Sequence, residues 1–483
     1  MKLSKEALSL LSNSAWSLFG TFISKGLMFF AWVIVANILG KTINGEIGVL
    51  RSTINLFIAF VGTGFGITLT KYLSKYKDEE TERTSKILSL TLTASFFFGI
   101  IISLTYYILS PWIANKVLAA PHLLYVIRIN TFLLFFSIMN GVFLGCLQGF
   151  EKFKTTTWIN SVFGVCLFIF LFFGASNNQI TGVFWGFIFA TIISLVLSIY
   201  YTSKTIVEYK IKLTTDFLSE IRILKHFTVP AILSGLMVVP FKWILETLLV
   251  RQENGYSEMG LFSALFLFHT LLLMIVNTVN APMIITMSNS KKNIKLEKLN
   301  ILLPWAFGVL VALPVLFFPE ILGIFFGSDY LKDENYRTTV IFIILITVLV
   351  LFKNGMARIM IVNNLMWFSF VSNLVWGIVL VSAFYFNPVK DSVTLALSYA
   401  IAYVINILIS VPFYVYKKII PMSIIYSKLS IFVWFFFLFL VYVIFNGLDL
   451  DNLSKVILLT LFFIIFCLCF YKMFLNEEKN FRD

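Results

Sequence analysis

Charged residues are scarce in this chain of 483 residues. Only 13% of positions are Asp, Glu, Lys or Arg, whereas 59% are hydrophobic. This composition excludes an ordinary soluble domain and is typical of stacked membrane helices. There are 37 Lys and Arg against 24 Asp and Glu. No basic stretch carries the interleaved aromatic residues of a nucleic-acid surface, so the positive excess predicts membrane topology and no nucleic-acid partner.

Residues that support covalent or metal chemistry are also few. The four cysteines lie in apolar runs, and the three histidines show no metal-ligand spacing. We therefore expect neither disulfides nor a metal site. The chain has no Gly-rich phosphate loop and no evident nucleophile–base set, so the sequence predicts a protein that is not an enzyme and needs no cofactor.

Long apolar runs dominate the chain instead. Each run is long enough to cross about 30 Å of hydrocarbon as a helix. We predict an all-α integral membrane protein with about 14 transmembrane helices. The predicted spans are 14–38, 46–69, 87–109, 123–147, 156–174, 181–202, 229–249, 260–286, 300–318, 337–362, 365–386, 392–415, 429–446 and 454–473.

The loops between these spans differ in charge. Alternate loops, together with both termini, hold 24 Lys and Arg, whereas the opposite loops hold 7. Loops rich in Lys and Arg stay on the cytoplasmic side of a membrane. We therefore expect both termini to be cytoplasmic.

Short motifs recur along the chain at offsets of 212 to 214 residues. The pairs are Asn44–Val49 with Tyr256–Leu261, Asn140–Gly141 with Asn354–Gly355, and Asn160 and Gly164 with Asn373 and Gly377. An even number of spans per repeat keeps both copies in the same orientation. We predict two pseudo-symmetric six-helix lobes, an N-lobe at 1–212 and a C-lobe at 229–418. A cytoplasmic linker at 213–228 joins them, and an additional helix pair follows at 429–473.

Cations at the span ends are counted with the loops, and six others fall inside predicted spans, where a charge costs about 3 kcal/mol. They are Lys25, Arg51, Arg128, Lys242, Lys353 and Arg358. Lys25 and Lys353 lie deepest, about 14–17 Å from the nearer span end, and Lys242 lies about 10 Å from it. The three arginines lie within about two turns of a boundary, where interfacial anchoring is the alternative to a binding role. We expect the deep lysines to face a basic chamber.

Lys25 also lies on a polar stripe of its helix. The residues that share this face are Ser14, Ser17, Thr21, Ser24, Met28 and Trp32. Hydrogen bonding between helices explains the hydroxyl groups but not the lysine. The stripe therefore predicts a helix that faces a cavity.

Glu246 is the one carboxylate well inside a predicted span, four residues after Lys242. The two charges either pair and cancel each other, or Glu246 exchanges a proton or a sodium ion and frees Lys242 in one state. Pro240 removes a backbone hydrogen bond, and we expect it to act as a hinge in the seventh span.

Several short motifs follow one another in a fixed order over residues 10–415. They are Ala36–Gly40, Gly62–Gly66, Leu144–Lys154 and Phe318–Gly327. In this order they resemble the Wzx-type polysaccharide flippases of the multidrug/oligosaccharidyl-lipid/polysaccharide exporter superfamily. The chain departs from that family in having 14 spans, where twelve are common, and in Asn37, where an Arg often stands.

The resemblance implies a flippase for O-antigen or capsule repeat units. Such a protein moves an oligosaccharide on undecaprenyl pyrophosphate to the outer leaflet of the bacterial cytoplasmic (inner) membrane by alternating access. Its partners would be that glycan, membrane lipid and polysaccharide polymerase machinery. It is expected to act as a monomer, with Na⁺ or H⁺ coupling left open. The residues assigned to the substrate are Lys25, Arg51, Arg128, Lys242, Lys353 and, for stacking on sugars, Trp32.

Three other functions remain open at this point. A lipid II flippase of the same superfamily shares 14 helices and a cationic lumen, and its last helix pair lines a groove for the lipid tail. A cation-coupled drug exporter prefers acidic lumen residues, and only Glu246 qualifies. A polysaccharide polymerase or ligase typically carries a large outer loop, whereas the longest outer loop here, 319–336, has about 18 residues.

Overall fold

The computed structural model describes residues 5–59, 62–78, 80–229, 232, 238–279, 283, 287, 294–363, 365–417, 419–420, 422–425, 427–446 and 451–475. Helices account for 89% of the structure, and no strand occurs in the described ranges. The predicted all-α architecture is therefore confirmed for these residues.

The described ranges contain thirteen helices of twelve or more residues. They are α1 (Lys5–Ala59), α2 (Gly62–Tyr76), α3 (Thr81–Trp112), α4 (Leu124–Gly149), α5 (Phe153–Glu208), α6 (Val239–Val250), α7 (Gly255–Asn277), α8 (Ile294–Phe317), α9 (Tyr336–Val362), α10 (Met366–Tyr385), α11 (Ser392–Tyr416), α12 (Lys428–Phe445) and α13 (Asn452–Leu475). Short helical turns occupy several of the connections.

Two of these helices fold back on themselves. α1 and α5 contain 55 and 56 residues, and straight helices of that length would measure about 80 Å. α1 is broken at Gly40, whose φ of 74° suits a glycine, and α5 is broken at Asn178 and Gln179. Within α5, Gly182 packs directly against Gly174, a contact that a straight helix cannot make. Each long helix is therefore a hairpin.

Eleven helices of the described chain are long and apolar enough to cross a membrane. In this number, the hairpin α1 and the hairpin α5 are each counted as a single helix. The predicted span 46–69 falls on the end of α1 and the start of α2, with residues 60 and 61 outside the described ranges. The protein is therefore a multi-pass membrane protein. The count of 14 spans and the cytoplasmic placement of both termini remain predictions.

The chain forms two compact units, Met1–Gly260 and Leu261–Asp483. Within the first unit, α6 packs against α1, and α5 packs against both α1 and α4. Within the second unit, α9 packs against α8 and α11, and α13 packs against α8. The predicted lobes at 1–212 and 229–418, which derive from the sequence repeat, remain predictions.

Small residues let α2 and α4 approach closely. A Cβ added to Gly145 would lie 2.6 Å from the Cα of Gly66, and one added to Gly149 would lie 2.7 Å from the carbonyl oxygen of Leu69. Such distances exclude any side chain. The glycines of these two helices therefore serve packing, as expected for small residues between membrane helices.

The two copies of one repeated motif touch each other in the first unit. Asn44 of α1 donates a hydrogen bond of 3.0 Å from Nδ2 to the carbonyl oxygen of Gly260 in α7. A Cβ on Gly45 would lie 2.8 Å from the Gly260 nitrogen. Sequence repetition predicted that these segments are equivalent, and the structure adds that they are neighbours.

The α5 hairpin yields a stability prediction with a matched control. In Gly182→Ala the new Cβ would lie 2.8 Å from the Gly174 carbonyl carbon, so the hairpin must open. We expect a loss of about 1–3 kcal/mol in stability and a lower thermal midpoint in detergent. In Gly99→Ala the nearest atom, Cδ2 of Phe135, is 3.5 Å away. The thermal midpoint of that variant should equal or exceed that of the parent protein. Equal midpoints for the two variants would contradict the hairpin.

Candidate functional site

In the first unit, the contact between α1 and α6 brings two cations and one carboxylate together. Arg51 lies on the part of α1 that follows Gly40, and Lys242 and Glu246 lie one turn apart on one face of α6. Pro240 occupies the first turn of α6, where a proline costs no helical hydrogen bond. Its hinge role remains a prediction, since most of residues 230–237 lie outside the described ranges.

Glu246 lies among polar and charged groups. Ser52 donates a hydrogen bond to its carboxylate, and the positive charges of Lys242 and Arg51 both act on it. The Oε2 atom is buried and accepts no hydrogen bond from the described residues. A buried carboxylate oxygen without a donor is costly, so this atom is a suitable place for a proton or a small cation. The described ranges hold no group of three His, Cys, Asp or Glu side chains that could bind a metal ion.

The guanidinium of Arg51 lies over the ring of Trp32, 3.8 Å from the ring centroid. Trp32 is only 4% exposed, and Phe187 of α5 meets it edge to face at a centroid distance of 5.7 Å. A cation over an indole face gains about 1–2 kcal/mol when it is partly desolvated, so Trp32 orients Arg51. The stacking of Trp32 on a sugar stays a prediction, and in this arrangement Arg51 covers the ring face that a sugar would need.

Trp243 ties α6 to α1 beside these charges. Its Nε1 donates a hydrogen bond of 3.0 Å to Thr53 Oγ1, and that hydroxyl donates to the Val49 carbonyl oxygen at 2.8 Å. Thr53 is fully buried, so loss of its partner would leave a polar group unsatisfied. This bond fixes the position of α6 along α1, and with it the position of Lys242 relative to Arg51.

Lys25 lies on the same face of α1 as Trp32, seven residues and about 10 Å before it. Its side chain is half-buried and makes no hydrogen bond or ion pair with the residues that the structure describes. The hydroxyl side chains of the predicted polar stripe at Ser14, Ser17 and Thr21 lie outside the described side chains. Lys25 thus adds a third positive charge on the Arg51 side of the first unit.

In the second unit, Lys353 of α9 meets one neutral oxygen. Its Nζ donates a hydrogen bond to Asn406 Oδ1 of α11, and it lies 5.8 Å from the centroid of the Tyr403 ring. Asn406 donates in turn to the carbonyl and hydroxyl oxygens of Ser372 in α10, at 2.6 and 2.8 Å. No carboxylate of the described residues pairs with Lys353. Its charge is therefore positioned but not neutralised.

Arg358, the other cation of α9, serves the packing of the second unit. It is 2% exposed and donates to Asn300 Oδ1 at 3.0 Å, to Asn354 Oδ1 at 2.7 Å and to the Val276 carbonyl oxygen at 3.3 Å. Asn300 also donates to the Gly355 carbonyl oxygen at 2.7 Å. These bonds connect α7, α8 and α9, so the interfacial anchoring considered from the sequence does not describe this residue.

Arg128 differs from the other predicted site cations because its side chain is exposed on α4. Its guanidinium lies 5.4 Å from the ring centroid of Tyr107 in α3. A cation beside an aromatic residue near a helix end fits interfacial anchoring, the alternative considered from the sequence. Its part in substrate binding remains a prediction.

Ser52, Thr53 and Trp243 complete the cluster, and sequence reasoning missed all three. Ser and Thr are frequent in membrane helices, and a tryptophan gives no indication of its partner. The available signal was that each lies within two residues of an intramembrane cation, Arg51 or Lys242. That proximity becomes informative only when α1 and α6 are known to touch.

The cluster predicts an energetic coupling between Arg51 and Glu246. Arg51→Gln removes one of the two charges that compensate Glu246, whereas Glu246→Gln removes the need for them. We expect Arg51→Gln to be less destabilising in the Glu246→Gln background, with a coupling of about 1–3 kcal/mol in a double-mutant cycle of unfolding in detergent. The control cycle pairs Arg51→Gln with Glu82→Gln at an exposed site and should be additive. Additivity in the first cycle would refute the electrostatic coupling.

Comparison with solved structures places this fold among known transporters. A lipid II flippase, MurJ, in an inward closed conformation superimposes with a TM-score of 0.70 at 16% identity, over 95% of this chain and 99% of that chain. A multidrug resistance transporter of the MATE family superimposes with a TM-score of 0.64 at 13% identity. That superposition covers 82% of this chain and 96% of the transporter. A MOP superfamily transporter from Pyrococcus furiosus superimposes with a TM-score of 0.63 at 14% identity, over 84% of this chain and 96% of that transporter. At these identities the likeness is one of fold.

Sequence comparison adds a family. None of the curated protein sequences matches the chain. The family model described as "Polysaccharide biosynthesis protein" matches residues 10–288, which is more than half of the chain. That range includes α1 and α6 and therefore the whole Arg51–Lys242–Glu246 cluster. The chain belongs to the polysaccharide biosynthesis protein family.

Proposed function

We propose that this protein is a Wzx-type flippase. It moves oligosaccharide repeat units linked to undecaprenyl pyrophosphate from the cytoplasmic to the outer leaflet of the bacterial cytoplasmic membrane. Membership of a polysaccharide biosynthesis family supports the pathway. The observation that carries the substrate class is the surplus of positive charge around Glu246, inside helices that are otherwise apolar.

A pyrophosphate group suits this cluster chemically. It presents several oxygens and at least two negative charges, and hydrogen bonds from Arg or Lys to phosphate oxygens are among the strongest in proteins. Two cations face one carboxylate in the cluster, so one positive charge remains, and Lys25 adds another. An incoming pyrophosphate would compete with Glu246 for Arg51 and Lys242.

Arg51 is the best-oriented of these donors. Trp32 covers one face of its guanidinium, which leaves the N–H edge available to oxygen ligands. The Trp243–Thr53 bond holds α6 in place, so Lys242 and Arg51 keep a fixed spacing. Preorganised cations lose little side-chain entropy on binding, which is the advantage of this arrangement over flexible surface lysines.

Glu246 gives the proposal a coupling step. When a proton or a sodium ion occupies its buried oxygen, the carboxylate no longer competes for the two cations and the pyrophosphate binds. When that proton or ion leaves, Glu246 reclaims the cations and the product is released. The carboxylate thus exchanges one partner for another in each transport cycle.

The other features predicted from the sequence belong to the same proposed mechanism. The chain works by alternating access, as a monomer, with Pro240 as a hinge and with both termini in the cytoplasm. Lys353 and Arg128 provide further contacts for the anionic substrate. The flipped product passes to polysaccharide polymerase machinery. No cofactor or nucleic acid takes part.

A lipid II-type flippase is the second candidate. The observation in its favour is that the superposition on MurJ covers 95% of this chain, and the uncovered 5% is too short to omit the whole additional helix pair. Lipid II carries the same pyrophosphate, so the cluster does not separate the two substrates. A drug exporter fits less well, because the surplus positive charge repels organic cations.

Neutralising the deep lysines tests the proposed function. We expect the triple variant Lys25→Gln, Lys242→Gln and Lys353→Gln to lose at least 90% of surface polysaccharide at unchanged protein level, since three cations near the phosphate path disappear. Each missing charged contact costs about 1.5–3 kcal/mol, and tenfold corresponds to about 1.4 kcal/mol. Quantitative staining of cell-surface polysaccharide measures the effect.

The matched control removes three charges elsewhere, at the exposed residues Lys116, Lys204 and Lys332. It should export normally. Normal export by the triple variant of Lys25, Lys242 and Lys353 would contradict the proposal. Growth separates the two candidates, because loss of a lipid II flippase stops cell-wall synthesis and growth, whereas loss of a repeat-unit flippase removes the polysaccharide.

Glu246→Gln tests the coupling step. A glutamine keeps the shape of the site but exchanges neither a proton nor a sodium ion. We expect transport in proteoliposomes to become insensitive to an imposed pH or sodium gradient while substrate binding is retained. A variant that responds to both gradients like the parent protein would remove Glu246 from the mechanism; Glu258→Gln, on α7, serves as the control.

A further inference from the structure

A cavity lies at one end of the second unit, where the additional helix pair meets α8 and α9. Its volume is about 110 Å³. Its walls come from the end of α8, the start of α9, the end of α12 and the start of α13. Ten residues line it, and they include Arg337, Phe439, Val443, Ile444, Lys455 and Leu458.

Eight of these ten residues are apolar, and the other two are both cations. Arg337 Nη2 donates one long hydrogen bond, 3.4 Å, to the Ile444 carbonyl oxygen near the end of α12. The ammonium of Lys455 lies 5.8 Å from the ring centroid of Phe318. No carboxylate in the described part of the chain pairs with either residue. Most of the hydrogen-bonding capacity of both side chains is therefore available to a ligand.

Helix electrostatics do not account for Lys455. It lies in the first turn of α13, where the helix dipole favours an anion and a lysine is unfavourable. Asp451, four residues earlier, accepts a hydrogen bond from the Ser454 hydroxyl instead, and this bond lowers the pKa of that carboxyl. Among the described residues, no carboxylate is thus paired with Lys455, although a cation stands at this position.

The charge pattern of the chain makes this pair of cations unusual. Only 7 Lys and Arg occur in the loops and span ends assigned to the outer side, against 24 on the other side. Two of those seven, Arg337 and Lys455, line a single cavity. Both stand near the start of a membrane helix, and the ends of membrane helices lie near the lipid head groups.

We propose that this cavity binds an anionic phospholipid of the outer leaflet. The phosphate lies between Arg337 and Lys455, and the first part of an acyl chain fills the apolar cavity between Leu458, Val443 and Phe439. Charge complementarity selects the head group, and apolar burial holds the chain. Bound in this way, the lipid joins the helix pair α12–α13 to α8 and α9. This site does not depend on what the protein transports.

The test is lipid binding by purified, delipidated protein, followed by native mass spectrometry and by the thermal midpoint. The probes are phosphatidylglycerol, phosphatidylcholine with the same acyl chains, glycerol 3-phosphate and inorganic phosphate. We expect phosphatidylglycerol to bind and to raise the midpoint, while the other three have little effect. Equal effects of both lipids, or a full effect of either soluble phosphate, would overturn the proposal.

Variants assign the binding to this cavity. We expect the double variant Arg337→Gln and Lys455→Gln to bind phosphatidylglycerol about thirtyfold more weakly, since each cation near a membrane surface contributes roughly a factor of five. The control, Lys332→Gln with Lys390→Gln, removes two other outer cations and should bind normally. The exchange Arg337→Lys with Lys455→Arg retains both charges and should retain binding.

A cavity-filling variant covers the case in which the double variant does not fold. Val443→Trp leaves both cations in place and blocks the space for the acyl chain. We expect it to lose the selective adduct with phosphatidylglycerol. Unchanged binding in Val443→Trp, or in the double variant, would contradict the proposed site.

Discussion

A lysine or arginine inside a bilayer must be hydrated, paired or bound, and the first unit of this protein is arranged around that constraint. Arg51 and Lys242 share one carboxylate, Glu246, and Trp32 covers the guanidinium of Arg51. Pairing lowers the free-energy cost of placing these charges in the bilayer, but one positive charge remains uncompensated. A fully compensated pair would serve packing alone, as the amide network around Arg358 does in the second unit. An incompletely compensated cluster is suited to an anionic ligand.

The backbone makes this cluster possible. Trp32 and Arg51 are 19 residues apart, and a straight helix would separate them by roughly 28 Å. The break at Gly40 reverses the chain, so that the ring and the guanidinium meet. The Trp243–Thr53 hydrogen bond then sets α6 against the second arm of α1. Contacts among glycines, such as Gly66 with Gly145, bring neighbouring helices as close as the backbone allows.

The all-helical membrane fold was predictable, because apolar run length is a property of single segments. The intramembrane cations were also visible from the sequence. The partners of those cations were not visible. Glu246 was expected either to pair with Lys242 on its own helix or to exchange a proton or a sodium ion, whereas its electrostatic interaction with Arg51 depends on how α6 meets α1. The position of Arg51 over the Trp32 ring was likewise not predictable, because aromatic type does not indicate which neighbour covers the ring.

Likeness of fold joins this chain to transporters that handle very different cargo, so the choice of substrate depends on the charges of the site. The most direct measurement is translocation of a pyrophosphate-linked oligosaccharide by the purified protein in liposomes. The sugar, placed in one leaflet, is detected when it becomes accessible to a soluble reagent on the other side. The account predicts that the protein accelerates this transfer far above the rate of protein-free liposomes, and that Arg51→Gln with Lys242→Gln abolishes the acceleration. Transfer at the protein-free rate, or undiminished transfer by that double variant, would contradict it.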